Sequence, residues 1–246
     1  MGQLKDILKE SPLRGAIRRL NSLMGDRGAL YELQTIEVMR RVLSHDSSYV
    51  DVGTHRGELL RSAVKIAPNG HHHAFEPLPQ CVRRLRRDFP QVKVHECALS
   101  DHQGTSDFHH VTNATTYSGL RRRLYDRPDP VIEVIAVAVS TLDDAIGAGE
   151  DIVLIKIDVE GGEYHVLKGG LRLLRRCRPV VVFEAGRRST GQYGVTPEQV
   201  VDWLESNLDY RVSTMERWLS GRPSLTRDEF VHCWNDESEY CFLASP

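Results

Sequence analysis

The sequence predicts one α/β domain built on a largely parallel sheet, and three observations carry that prediction. Short apolar stretches alternate with amphipathic helical patterns from residue 48 onward, the rhythm of strand, helix, strand units joined by right-handed crossovers. The most apolar of these stretches, Asp151-Ile-Val-Leu-Ile-Lys-Ile-Asp-Val-Glu-Gly-Gly162, acquires Lys156, Asp158 and Glu160 at alternating positions. Unpaired charge is costly inside a sheet covered on both faces, so these side chains belong at the strand's carboxyl end, where open α/β sheets place their ligands. An ion pair at a strand-to-helix corner is the structural alternative. Finally, Asp51-x-Gly53 closes an earlier strand and Gly57 opens a helix, as in a nucleotide-binding turn.

The elements follow in order. Residues 1–45 read as helical, with Leu4, Ile7, Leu8, Leu13, Ile17 and Leu20, then Leu33, Ile36, Met39 and Leu43, at helical spacings broken by Ser11-Pro12 and Met24-Gly25-Asp26. Lys5, Lys9, Arg14, Arg18 and Arg19 lie opposite the first apolar residues. Such a basic amphipathic segment suits either a peripheral contact with an anionic membrane or a cap packed on the domain or on a second copy of the chain. Strands are expected at residues 48–53, 72–76 and 92–98, with helices near 57–64 and 79–88 between and after the first two. Residues 104–111 and 131–139 suggest a hairpin or sheet extension, and the polar loop between them is long enough to be a substrate lid. A short helix follows Thr141. The charged strand comes next, then a helix from 163 to 174, a buried strand at 179–184, a helix from 196 to 208 and two final strands near 210 and 239–244.

The totals narrow the class. A chain of 246 residues fits a single α/β domain, and a formal net charge of -2 gives no general attraction to nucleic acid. Five cysteines without C-x-x-C spacing fit reduced thiols in a cytoplasmic protein. The N-terminus lacks a continuous apolar segment, which fits a chain that is not exported, and no stretch approaches the ~18 apolar residues of a membrane span.

Glu76 ends the second expected strand, where a carboxylate can accept hydrogen bonds from ribose hydroxyls. With the Asp51 to Gly57 turn it points to a nucleoside ligand. The turn lacks the third glycine of G-x-G-x-x-G, which disfavours a dinucleotide and hence a nicotinamide-dependent oxidoreductase. A non-catalytic nucleoside-binding module on the same fold is a further alternative.

Together these pieces resemble the FkbM family of S-adenosylmethionine-dependent methyltransferases. The resemblance runs from about residue 48 to 186 and includes Asp51-Val-Gly-Thr-His-Arg-Gly57, Phe75-Glu-Pro77, Cys97-Ala-Leu-Ser-Asp101 with Gly104, Ser140-Thr-Leu-Asp143, Ile155-Lys-Ile-Asp-Val-Glu-Gly-Gly-Glu163 and Val166-Leu-Lys-Gly169. It implies a Rossmann-like class I methyltransferase fold over residues 46–246: a mostly parallel seven-stranded sheet, helices on both faces and an antiparallel last strand. Residues 1–45 would form the N-terminal helical cap. It further implies that Asp51, Gly53, Thr54 and Gly57 hold the methionine part of S-adenosyl-L-methionine. Glu76 and Pro77 would lie at its ribose, Ala98, Leu99 and Ser100 along its adenine, and Asp158 near its amino group and methyl. The family usually has alanine and asparagine where this chain has Thr54 and His55.

Methyl transfer to an alcohol gains from a base positioned to take the hydroxyl proton. Asp158 is the first candidate and Glu160 the second, with Lys156 as their charge partner. Glu184 ends the neighbouring strand; paired carboxylates there could hold a divalent cation, but the reading adopted requires no metal. The expected acceptor is a small-molecule or glycan hydroxyl: a sugar, a glycolipid or a polyketide-type natural product. His71, His72 and His73 face alternate ways in a strand and cannot readily converge on one ion. His109, His110 and Tyr117 are candidates for substrate contact or for a solvated loop, and Arg121 to Arg123 is the arginine group best placed to meet an anionic substrate.

Overall fold

The computed structural model describes residues 26–123 and 129–246. The basic helices expected before residue 26, with their membrane or cap role, lie outside the described residues. Strands β1 (Ser48–Val52), β2 (His73–Phe75) and β3 (Lys93–His95) are followed by β4 (Ala98–Leu99), β5 (Gly104–Val111) and β6 (Ile132–Ser140), then β7 (Ile152–Ile157), β8 (Val180–Glu184), β9 (Arg211–Thr214) and β10 (Cys241–Ser245). The helices are α1 (Arg27–Val42), α2 (Glu58–Ile66), α3 (Pro79–Asp88), α4 (Leu142–Ala145), α5 (Glu163–Lys168), α6 (Leu171–Cys177), α7 (Arg187–Thr190), α8 (Pro197–Leu208), α9 (Met215–Leu219) and α10 (Arg227–Asp236).

The main sheet has seven strands in the order β3-β2-β1-β7-β8-β10-β9. The pairs from β3 to β8 are parallel, and β10 runs antiparallel to β8 and β9. Alternation along each strand feeds two cores. Val50, Val52, Ile155, Ile157, Val181 and Phe183 pack with Val166, Leu173, Val200, Phe230 and Trp234 from α5, α6, α8 and α10. Tyr49, Leu154, Val182 and Leu243 face the other way, onto Val38, Met39, Leu60, Leu85 and Met215 from α1, α2, α3 and α9. Burying each such side chain contributes about 1.5–3 kcal/mol, so both faces of the sheet must be covered for the domain to be stable.

Several expectations shift. The strand expected at 92–98 divides, because its first part joins the main sheet while Ala98 and Leu99 pair with β6 in a separate three-stranded sheet, order β4-β6-β5. The hairpin of β5 and β6 therefore forms its own layer and does not extend the main sheet. The helix expected from 163 to 174 breaks at Gly169 and Gly170 into α5 and α6. Helix α10 was not expected, although Thr226 and Glu229 form a capping box, a pattern legible in sequence. In α1 the inward face carries Tyr31, Thr35, Val38 and Met39, with Leu33 and Ile36 only half-buried. Tertiary contacts set that rotation: Tyr31 meets Tyr240 edge-on and donates a hydrogen bond to Glu239.

The three histidines of 71–73 separate as strand alternation requires. His72 Nε2 lies 2.7 Å from the Ala67 carbonyl oxygen, whereas His73 reaches His95 at 3.0 Å and Glu150 at 2.5 Å. Among the described residues no group of three His, Cys, Asp or Glu side chains is arranged to hold a metal ion, and no helix is long and apolar enough to cross a membrane.

Candidate active site

Along the α1 side of the sheet, the apolar file of each central strand gives way to charge at the carboxyl end. Tyr49 is followed by Asp51, Leu154 by Lys156 and Asp158, and Val182 by Glu184. Asp51 stands opposite Lys156 in the β1–β7 register, and Ile157 stands opposite Phe183 between β7 and β8, so Asp158 and Glu184 come next to each other one step further on. Lys156 Nζ donates to Asp158 Oδ2 at 2.8 Å. The carboxyl end of the strand thus carries both the ion pair and the cleft. The cleft above it is lined by Asp51, Lys156, Asp158 and Glu184, with Tyr31 and Thr35 of α1 and residues 112–116 as its far walls.

A second chamber adjoins it across Gly53, His55 and Asp158. It is lined by Phe75, Glu76, Pro77 and Leu78, by Cys97, Ala98, Leu99 and Ser100, and by Phe108, Leu120 and Tyr193. Mostly apolar walls around a few polar groups are the make-up of a small-molecule site. Glu76 is 4 % exposed. Its two oxygens accept the His55 amide at 2.8 Å and the Leu78 amide at 2.9 Å, which aims the carboxyl group into the chamber.

The turn between β1 and α2 holds the chambers together. Gly53 has φ +79°, and a Cβ there would lie 1.8 Å from the Asp158 carbonyl oxygen. At Gly57, φ +74°, a Cβ would strike Phe89 at 2.6 Å. Both glycines are thus required by close protein packing; Gly53 also borders both chambers, whereas Gly57 borders neither. Thr54 turns its hydroxyl back to the Asp51 carbonyl at 2.8 Å. His55, at φ +50°, reaches Thr115 Oγ1 at 2.8 Å and ties this turn to the long loop.

Glu160 departs from the alternation expected of it. The strand ends at Ile157, and Glu160 adopts φ +61° in the turn that follows. Its carboxylate forms an ion pair with Arg123, and the Arg123 guanidinium also lies over the Tyr117 ring at 5.0 Å. Arg121 donates to the Gln192 carbonyl at 3.1 Å and lies over Tyr193 at 5.2 Å. These two arginines fasten the loop across the Glu76 chamber, which accounts for their charge without an anionic substrate. His109 pairs through its backbone with Gly119, and His110 lies 3.3 Å from Gln80; neither borders either chamber. Tyr193 and Thr115 carried no readable motif, since each reaches the site from a single short turn of helix within a connecting segment; Arg123 belongs to the expected arginine group but meets Glu160.

Burial dominates the electrostatics. It pushes the Asp51 carboxyl up to about 6, with the Asp158 charge adding to the shift and Lys156 opposing it. It pushes Glu76 up to about 7 against the two backbone amides. Glu184 is raised well above the ordinary carboxyl range by burial and then by the neighbouring Asp158 charge. At Lys156 burial works to lower the pKa, but Asp158 and Asp51 outweigh it and hold the ammonium charged. Asp51 Oδ1 is buried, and the Tyr49 hydroxyl on the same face of β1 works as a hydrogen-bond donor to lower the Asp51 pKa against the effect of burial.

Residues 51–212 match the Methyltransferase FkbM domain family. The chain belongs to the FkbM methyltransferase family. This FkbM methyltransferase is 27 % identical over 199 residues to the 2-O-methyltransferase NoeI of Sinorhizobium fredii, covering 70 % of the chain and 77 % of NoeI. It is 30 % identical over 165 residues to the AMB antimetabolite synthetase AmbE of Pseudomonas aeruginosa, covering 52 % of the chain but 8 % of that protein. Methyltransferase FkbM from Methylobacillus flagellatus shares the fold, with a TM-score of 0.50, 18 % identity and coverage of 82 % of this chain and 44 % of that one. A methyl donor therefore belongs to this chain's chemistry, and the nicotinamide alternative is set aside.

Proposed function

We propose that this methyltransferase transfers a methyl group from S-adenosyl-L-methionine to a hydroxyl of a sugar, glycolipid or polyketide-type natural product. The observation that carries the reading is the meeting of two unlike chambers at Asp158: one largely apolar with a buried carboxyl at Glu76, the other polar and charged. Bound S-adenosylmethionine supplies an electrophilic methyl on a sulfonium whose departure leaves a neutral thioether. Glu76 would accept the ribose hydroxyls, Pro77, Ala98, Leu99 and Ser100 would flank the adenine, and Asp51 would accept from the amino group beside Gly53 and Thr54.

Asp158 is the proposed base. Lys156 occupies Oδ2, and Oδ1 has no hydrogen bond among the described residues. Asp158 would accept the acceptor's hydroxyl proton, leaving the oxygen to take the methyl group that the donor would supply. Lys156 keeps the carboxylate oriented during that step. Glu160, engaged by Arg123, is better suited to holding the loop than to taking a proton. The name of NoeI, a 2-O-methyltransferase, supports oxygen as the nucleophile. Five free thiols fit action in a reducing cytoplasm.

Calorimetric titration with S-adenosylmethionine tests the reading: saturable binding is expected, and no binding at millimolar donor would overturn it. Transfer of the labelled methyl to a panel of neutral glycosides then tests the acceptor class.

A further inference from the structure

The polar chamber contains a group with no assigned use. Glu184 closes β8 beside Asp158, pairs through its backbone with Cys241, and faces the cleft together with Lys156; its side chain makes no hydrogen bond to another described residue. The side chain is half-buried and opens onto the cleft, where its carboxyl group is free to meet a hydroxyl of a bound molecule. Its enclosed surroundings first, and then the neighbouring Asp158 charge, raise its pKa towards the protonated form, with Lys156 opposing. Such a group both donates and accepts, as hydroxyl recognition requires. Neighbouring strands lie about 4.8 Å apart. Two carboxyl groups at adjacent strand ends can therefore engage two oxygens on adjacent carbons of one molecule.

We propose that Glu184 holds the hydroxyl next to the one being methylated, so that the chamber takes a vicinal diol in preference to an isolated alcohol. This assignment rests on the O-methyl-transfer reading above and narrows it. Asp158 addresses the reacting hydroxyl and Glu184 its neighbour; no proton moves at Glu184 in the step. A carboxylate or phosphate at the neighbouring position would face Asp158 across a short distance and be rejected, which makes the preferred acceptor a neutral polyol.

The test measures initial rates at saturating S-adenosylmethionine on methyl pyranosides of glucose, galactose, mannose and fucose. Each is compared with the monodeoxy analogue lacking the hydroxyl beside the methylated one. In the wild-type chain, loss of that hydroxyl should raise KM about 10-fold, the effect of a lost hydrogen bond to a polar group lining the site. In Glu184→Ala the diol and the deoxy sugar should converge to within about 3-fold, and in Glu184→Gln, whose amide still donates, most of the discrimination should remain. An unchanged diol-to-deoxy ratio in Glu184→Ala would overturn the assignment, and so would transfer to cyclohexanol as readily as to the pyranosides. Calorimetry with S-adenosylhomocysteine separates the two levels. Failure of the wild-type chain to bind it counts against the donor reading, whereas normal binding by wild type and Glu184→Ala with an unchanged ratio counts against Glu184 alone.

Discussion

The chamber beside Glu76 and the chamber beside Glu184 are assembled in different ways. The first takes much of its wall from short runs at consecutive strand ends, residues 52–55, 75–78 and 97–100, and is mostly apolar. The second gathers α1, the 53–59 turn, the 112–116 loop and the ends of β7, β8 and β10, and its wall is rich in carboxylates and hydroxyls. A part common to many substrates can be held by local motifs, whereas a part that varies is met by segments far apart in the chain. The point of contact between them is Asp158, and variants on either side should fail differently.

The largest separation is expected at that contact. Asp158→Asn keeps the shape but removes the base, and should lower kcat about 10²- to 10⁴-fold with S-adenosylhomocysteine affinity changed little. If the melting temperature falls while activity per folded molecule holds, the Lys156–Asp158 pair is structural. A smaller effect on the other side should come from Glu76→Ala, which removes the proposed ribose acceptor: donor Kd should rise about 10- to 100-fold by calorimetry with acceptor KM near wild type. A parallel rise in acceptor KM would show that the two chambers are coupled. Smaller still is the loop fastening. Arg123→Ala should speed S-adenosylhomocysteine release in stopped flow by about 3- to 10-fold, the scale of one half-buried ion pair, and Glu160→Gln should behave alike. A loss in Glu160→Gln as large as in Asp158→Asn would restore Glu160 as a base.

The buried carboxyls also set a pH dependence. Asp51 and Glu76 stay protonated in the folded chain up to about 6 and about 7, while in the unfolded chain they ionise near 4. The folded state therefore binds more protons in between, so its stability is full below about pH 4 and declines as pH rises through 6 and 7. The melting temperature of the ligand-free protein should fall between about pH 5 and 8, and Glu76→Gln should flatten that slope. A rising melting temperature over this interval would show that these groups are ionised on folding.

Much is legible in the residue pattern alone. Strand alternation foretold the parallel sheet, and the Asp51 to Gly57 turn, Glu76, Lys156 and Asp158 marked the strand ends where the two chambers lie, because side-chain direction in a strand and the run of charge along it are local properties. Folding decided the rest. Glu160 left the file of Lys156 and Asp158 when the chain turned at φ +61°, and it found Arg123 from a loop 37 residues away. Tyr31, Thr35 and Tyr193 joined the site only through packing between segments distant in the chain. Local pattern records which face a residue takes within its own element; which elements share a cleft follows from long-range burial, and no short stretch of sequence carries that information.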